Sequence, residues 1–574
     1  MKVPEGVNKS VNDRRRLTSA VAAVVASMAI NLVPGAAPAQ ALNGETGEVN
    51  WSADITLGAA ASFRVEDPET TPNSPNIKSD TTFDTGLVSN VYKFTGEFGA
   101  DWRNYFAVAN VNYTYDWMIM QEDTDRKDVF DPNFAFGLTT VDTGMGDDWN
   151  EGAKDNSGSV LDILDAYVGG TFADDNMDLR VGSQVINWGE GLFFFDGVAE
   201  QTPLNIGKLV LPGSELKEAY LGVNAFRTQW AVTDALSLDA YFQFDWEEHT
   251  FPGVGTYYGD DIVGPGGREE WRMDPVFGGL RGKNIDADDS GQWGLSGRAF
   301  LGDVEVGLYY SRYHEKFPLF TFESNPASET VATVLYFVPE LNGGLTPDDW
   351  AMFGVTDPSM LVGFPVPGGQ LRQTYVEDSD MFGASVAFSA GPFSVNGEIA
   401  YRPDRPLALP YQNYLLAQNG GAWKETDTLN ASVHLLWLGG QFPGGIDSQF
   451  GVVQLGLDYI DDPEGLDANN VLTEDPLAEA DDFAWGVAAS WDGTWQAVAN
   501  RNIDLVLNLF MQYDFSGNSH FWGNFAEDRV QYSVGLTGKF GTAWEAEINY
   551  AGQTFDDSVF ENQDTINLSF NYKF

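Results

Sequence analysis

The segment Ile566-Asn-Leu568-Ser-Phe570-Asn-Tyr572-Lys-Phe574 decides the fold, because apolar and polar residues alternate without a break. A period of two puts the two kinds of side chain on opposite faces of a strand, since successive residues point to opposite sides of the pleat. A helix would gather them at spacings of three and four. The pattern recurs upstream in Trp51-Ser-Ala53-Asp-Ile55-Thr-Leu57-Gly-Ala59-Ala-Ala61-Ser-Phe63. It appears again in Leu236-Ser-Leu238-Asp-Ala240-Tyr-Phe242-Gln-Phe244-Asp-Trp246 and in Ile503-Asp-Leu505-Val-Leu507-Asn-Leu509-Phe-Met511-Gln-Tyr513. Segments of about ten alternating residues, separated by turn residues, are the signature of an all-β transmembrane antiparallel barrel. A soluble solenoid or propeller would show a fixed short repeat, and the chain has none.

Connection lengths test the same reading. Alternation predicts strands over 51–65, 87–100, 103–118, 159–172, 176–188, 216–232, 235–247, 291–301 and 303–313. It continues over 380–390, 392–402, 427–438, 449–460, 482–491, 501–514, 529–540, 543–552 and 565–574. Every second junction is short, as at Asp101-Trp102, Asp174-Asp175, Thr233-Asp234, Gly302, Gly391 and Gly541-Thr542, with longer ones at 439–448 and 492–500. The alternate junctions are mostly long: 119–158, 189–215, 248–290, 314–379, 403–426 and 461–481. Outer-membrane barrels are connected this way, with short periplasmic turns and long extracellular loops. The count is about 18 strands in a range of about 14 to 20, with segment 330–340 left over for an extra hairpin or an extracellular sheet.

Composition excludes other classes. The 574 residues carry 31 Lys+Arg against 84 Asp+Glu, a net charge of −53, with 14% aromatics and no Cys. So many aromatics do not suit a disordered acidic chain. A nucleic-acid binder would need Lys and Arg for the phosphates, so no nucleic-acid partner is expected. Without cysteine there are no disulfides, thiolate metal sites or cysteine nucleophiles.

At the N-terminus, Lys2, Lys9 and Arg14-Arg15-Arg16 precede an apolar run from Leu17 to Val33, Pro34-Gly35 breaks it, and Ala39-Gln40-Ala41 follows. This reads as a secretory signal peptide over 1–41, leaving 42–574 as the barrel. A retained anchor is the alternative, disfavoured by the short apolar run and the cleavage-like site. Barrel strands begin soon after the cut, which argues against a plug domain or a passenger.

The apolar row Ile566, Leu568, Phe570, Tyr572 and Phe574 is similar to the insertion signal of bacterial outer-membrane proteins, an edge that the barrel assembly machinery could capture by strand addition. Trp102, Trp117, Trp188, Trp246, Trp437 and Trp491 near strand ends fit interfacial girdles facing outer-membrane lipid and lipopolysaccharide, ordinary packing being the other reading.

One block is more specific. It contains Asp178-Leu-Arg180-Val-Gly-Ser-Gln184-Val-Ile-Asn187-Trp188-Gly189-Glu190, then Thr202-Pro203-Leu-Asn205, Lys208-Leu and Pro212-Gly213-Ser-Glu215-Leu216-Lys217-Glu218-Ala219. With Leu236-Ser-Leu238 it resembles the bacterial outer-membrane barrel family catalogued as domain of unknown function 1302. The resemblance covers the block closely and the rest of the mature chain in pattern. It implies traffic of lipid-like or other hydrophobic molecules, with an efflux-type transporter system and a periplasmic or lipoprotein partner. Physically, the block leaves one strand and returns at the next through loop 189–215. A barrel of this size encloses an aqueous channel unless something folds into it. The loop is the candidate constriction. Phe193, Phe194 and Phe195 would supply its apolar cluster, with Trp188 also at the constriction, and Asn187, Glu190, Asn205, Lys208, Glu215 and Lys217 its polar anchors to inward-facing Arg180 and Gln184. The plainer reading is a purely structural loop.

No catalytic, cofactor or metal site is expected. Asn430, Ser432 and His434 share one strand face but stand in a row about 7 Å apart, too far for a nucleophile and its base. Asp286-Ala-Asp288-Asp-Ser290-Gly291 begins like a calcium loop, yet position twelve is Gly297 rather than Glu. Acidic stretches such as Asp461-Asp462, Glu464, Asp467, Glu474-Asp475, Glu479 and Asp481-Asp482 either bind divalent cations that bridge lipopolysaccharide or form a solvated surface. Three functions follow: a channel for hydrophobic or amphipathic solutes, a general diffusion porin, or a partner-docking barrel without transport.

Overall fold

The computed structural model describes residues 42–66, 83, 85–122, 149–199, 201–259, 264, 280–323, 347, 370–409, 420–421, 423–464, 466, 480–521, 523–554 and 563–574. The leader 1–41 and segment 330–340 lie outside them. The alternating segments form strands β1 Val49–Arg64, β2 Gly86–Trp102, β3 Tyr105–Asp116, β4 Ser159–Phe172, β5 Met177–Gln184, β6 Val223–Thr233, β7 Leu236–Gln243, β8 Trp293–Leu301 and β9 Val304–Tyr313. There follow β10 Ser379–Ala390, β11 Phe393–Ala408, β12 Trp423–Gly439, β13 Ser448–Ile460, β14 Phe483–Trp495, β15 Ile503–Ser516, β16 Val530–Phe540, β17 Trp544–Thr554 and β18 Thr565–Lys573. Each is antiparallel to its neighbours, and β18 pairs with β1, Phe570 opposite Ala59, which closes an 18-stranded barrel. Closure matters because a lipid-exposed sheet edge would leave backbone groups unpaired. A short strand, Leu42–Thr46, covers the stretch of β1 that β18 does not reach. Among the described residues, a four-stranded sheet of Leu280–Arg281, Leu319–Glu323, Gln370–Thr374 and Gly420–Gly421 is built from the long loops.

The outward face is apolar, with Val168, Leu308, Leu435, Leu568 and Phe570 all exposed. In water this surface would be a severe liability; in lipid it is the required solvent contact. Aromatics ring both ends: Trp102, Tyr105, Phe172 and Trp230 at the short-turn end, and Trp117, Phe242, Trp293 and Phe483 at the long-loop end. Ile566, Leu568, Phe570, Tyr572 and Phe574 share the outward face of the last strand, where Trp544 packs on Phe570 and Tyr572 at 5.1 and 4.2 Å.

Two girdle assignments fail. β5 stops at Gln184 and β7 at Gln243, so Trp188 and Trp246 fall on loops. Trp188 is buried beside Tyr241 and Tyr309, and Trp246 packs on Tyr375. Two strand limits also differ. β6 starts at Val223 rather than 216, because Glu215 and Glu218 form a reciprocal cap that winds Leu216–Glu218 into a 3-10 turn. β11 runs past Pro403 and Pro406 to Ala408, with a bulge between Arg402 and Arg405 absorbing the irregularity.

Candidate functional site

Residues 185–199 and 201–222 leave β5, fold into the barrel and return at β6. The tip, 189–198, is held on the far wall. Glu398 of β11 accepts the backbone N–H groups of Glu190 and of Val198, the latter at 3.1 Å. Four residues along the strand, Arg402 donates to the carbonyls of Asp196 (2.8 Å) and Gly197 (2.5 Å). One carboxylate thus takes the tip's N–H groups and one guanidinium its carbonyls, which satisfies backbone that would be costly to bury unpaired. Gln454 of β13 accepts from Leu192 and Phe193 at 3.2 and 2.8 Å, and Asn524 exchanges two bonds with Phe195.

Asp196, wholly buried, lies between Arg402 (3.3 Å) and Arg405. Residues three apart on a regular strand face opposite ways; the β11 bulge adds the residue that turns both arginines onto one carboxylate. Against burial, which raises it, Arg402 and Arg405 hold the Asp196 carboxyl well below the usual range.

The second leg is held on the near wall. Lys208 donates to Asn112 (2.7 Å) and Thr114 and lies 3.6 Å from Asp162, which also accepts from Asn205 at 3.2 Å. Burial lowers the Lys208 ammonium, with Asp162 and Glu218 opposing. Glu218 pairs with Lys93 at 2.8 Å and accepts from Thr95 at 2.9 Å. Nearer the short-turn end, Lys217 bridges Glu97 (2.8 Å) and Glu215 (3.3 Å). The loop therefore crosses the lumen from wall to wall.

The expected loop lies inside the barrel, but its anchors do not meet Arg180 and Gln184. Arg180 bonds Asp178 (2.7 Å) and Gln229 (3.2 Å) and stacks over Tyr167, while Gln184 donates to the Ala225 carbonyl at 2.9 Å. Both serve the wall beside them, because the tip reaches across the barrel before it docks. Trp188 donates to Asp239 at 3.1 Å and so fixes the loop's root, where Asn187 stands beside Tyr220. Burial raises the Glu190 carboxyl, Arg298 opposing while Glu305 and Glu398 add to the rise. Phe193, Phe194 and Phe195 are half-buried and meet Phe510, Phe525 and Phe521 at 5.5, 4.8 and 6.3 Å. Sequence reasoning missed Asp196, Glu398, Arg402, Arg405, Gln454 and Asn524. The available signal was Glu398 and Arg402, two full charges four apart on the inward face of one strand.

His434 is buried on β12 and Asn430 donates to Asp458 at 2.5 Å; among the described residues no hydrogen bond joins Ser432 to His434. Nor is any group of three His, Asp or Glu placed to hold a metal among them.

Fold and loop together define a closed, 18-stranded antiparallel barrel whose lumen is crossed by a docked inward loop. The chain belongs to the family described as protein of unknown function (DUF1302), whose model matches residues 20–574. No curated protein matches it. Among solved structures it is similar to Acinetobacter baumannii OccAB4, at 10% identity and TM-score 0.41 over 92% of this chain and 99% of that one. It is also similar to Pseudomonas aeruginosa OccK9 (OpdG), at 9% and 0.38 over 91% and 98%. Salmonella typhi OmpF, in complex with daunomycin, matches at 9% and 0.34 over 93% and 100%.

Proposed function

We propose that the chain is an outer-membrane channel that passes hydrophobic or amphipathic, lipid-like solutes through an eyelet formed by loop 189–215, and that residues 1–41 are its cleaved secretion signal. One observation carries the reading: the tip is held by its backbone, which leaves Leu192 (42% exposed) and the half-buried Phe193–Phe195 as an apolar ridge inside the barrel. Asn508, Asn549 and Asn567 line the inward face of β15, β17 and β18. Such a ridge within a wall of amides suits a solute with one greasy and one hydrogen-bonding side. The apolar band and aromatic rings support residence in the outer membrane, with lipid and lipopolysaccharide around it. The outward row ending at Phe574 suits capture by the barrel assembly machinery. Its partners in this role would be an efflux-type transporter system and a periplasmic or lipoprotein component.

Deleting residues 192–200 is expected to raise single-channel conductance in a planar bilayer several-fold, about two- to fivefold, because it empties the eyelet. Unchanged conductance would favour the partner-docking barrel. An equal rise without loss of apolar-solute preference would favour a general porin. The lumen side of β14–β17 carries Asp492, Asp504, Glu545 and Glu547 against Lys539. Fixed charge of one sign attracts the opposite ion. The reversal potential in a KCl gradient should therefore show cation preference; anion preference would contradict this electrostatic reading.

A further inference from the structure

Residues 517–521 and 523–529, in the loop between β15 and β16, fold back into the lumen over the tip of the constriction loop. Phe521 and Phe525 pack on Phe195 and Phe194, and Asn524 clamps the Phe195 backbone. Beside them the His520 side chain is 2% exposed, with Nε2 at 3.6 Å from the second oxygen of Asp196. Neither ring nitrogen, nor that oxygen, has a hydrogen-bond partner among the described residues. A buried imidazole thus faces the second oxygen of a carboxylate whose first oxygen is held by two arginines, an arrangement that needs a reason.

The surrounding charges supply one. Asp196 faces the ring from the constriction loop and Asp458 from β13, where it also accepts from Ser519 and, at 3.1 Å, from Asn524. Behind Asp196 stand Arg402 and Arg405 of β11, and Glu315 lies 3.6 Å from Arg405. Two carboxyl groups thus face the ring from separate elements, and they attract an imidazolium where they do not attract a neutral ring. The loop also carries an ion pair of Arg529 with Asp514 at 2.7 Å, which holds no histidine.

We infer that His520 is a proton-operated latch, which closes loop 517–529 onto the eyelet when protonated and releases it when neutral. This rests on the channel reading above. Histidine carries its charge below its pKa, so closure belongs to the acid side and release to the alkaline side. Asp196 stays ionised throughout, since its arginine partners hold its carboxyl low.

The full chain in a planar bilayer tests it. Between about pH 5.5 and about pH 8.5 the open-to-closed ratio should rise about tenfold, the weight of one hydrogen bond to a charged group. His520→Gln should stay open and lose the pH response, while His520→Arg, permanently charged, should remain closed at the alkaline end. Folding of each is checked by heat-modifiable gel migration. Hydrogen exchange of wild-type peptides spanning 517–529, corrected for intrinsic rates, should show more protection in acid and needs no variant. An unaltered pH response in folded His520→Gln, or equal protection at both pH values, overturns the latch. Absence of any conductance, even after deleting 192–200, overturns the channel reading instead.

Discussion

Replacing Arg402 by methionine should destabilise the barrel by about 3–5 kcal/mol, because removing one partner of a buried ion cluster leaves its carboxylate undercompensated and two tip carbonyls without their donor. The guanidinium is wholly buried and donates to the tip at Asp196 and Gly197, to the Tyr313 hydroxyl at 3.0 Å and to Asn430 at 3.2 Å. Methionine fills much of the volume but leaves the Asp196 carboxylate to Arg405 and His520. The double variant Asp196→Asn/Arg402→Met removes the stranded charge and should recover more than half of the loss. Urea unfolding in lipid vesicles measures both; a single-variant loss under about 1 kcal/mol would show that the ion cluster does not hold the tip. The pH dependence has a definite sign. Asp196 has a folded-state pKa depressed by its arginines, so its stabilisation is complete above the unfolded carboxylate value of about 3.9 and fades as pH falls toward the lower folded value. The wild-type advantage over the double variant should therefore survive mild acidification and vanish only in strong acid.

The barrel was legible because lipid outside and water inside impose a period of two that local sequence cannot hide. β4 falls on 159–172 as the alternation predicts, and most other strands differ from their predicted limits by only a few residues. The errors occur where something other than the pleat decides. At Glu215–Glu218 a local cap overrides an alternating stretch. At Pro403 a bulge lets a strand continue where proline would ordinarily end it. The loop's inward course could be inferred from the barrel's width, but not its docking partners. Adjacency in sequence favoured Arg180 and Gln184, whereas the tip docks on side chains some two hundred or more positions downstream, brought opposite only by closure of the sheet. Glu398 and Gln454 resemble any polar residue facing the lumen until the loop that needs them is in place.

Replacing Glu398 by alanine should release the tip without unfolding the barrel, since the β11 ladder to both neighbours depends on backbone alone. The carboxylate sits inside the curve of the loop, and Gly189, Gly191 and Gly197 press against it where a Cβ would meet its oxygens. Gly189 also has φ of +88°, a conformation that other residues adopt at a cost. Loss of two hydrogen bonds to a charged acceptor, each worth about 1.5–3 kcal/mol, should raise the undocked population at least about tenfold. The expected record is a larger and noisier single-channel current. Glu398→Gln keeps one acceptor but turns an amide N–H toward a backbone N–H, so it should fall between alanine and wild type. The contact can also be broken from its other side. Gly189→Ala leaves Glu398 intact but drives a methyl group into it, and should reproduce the noisy current of Glu398→Ala. If both variants fold and conduct like wild type, the tip is not what narrows the lumen, and the restriction must be sought in the loops above it.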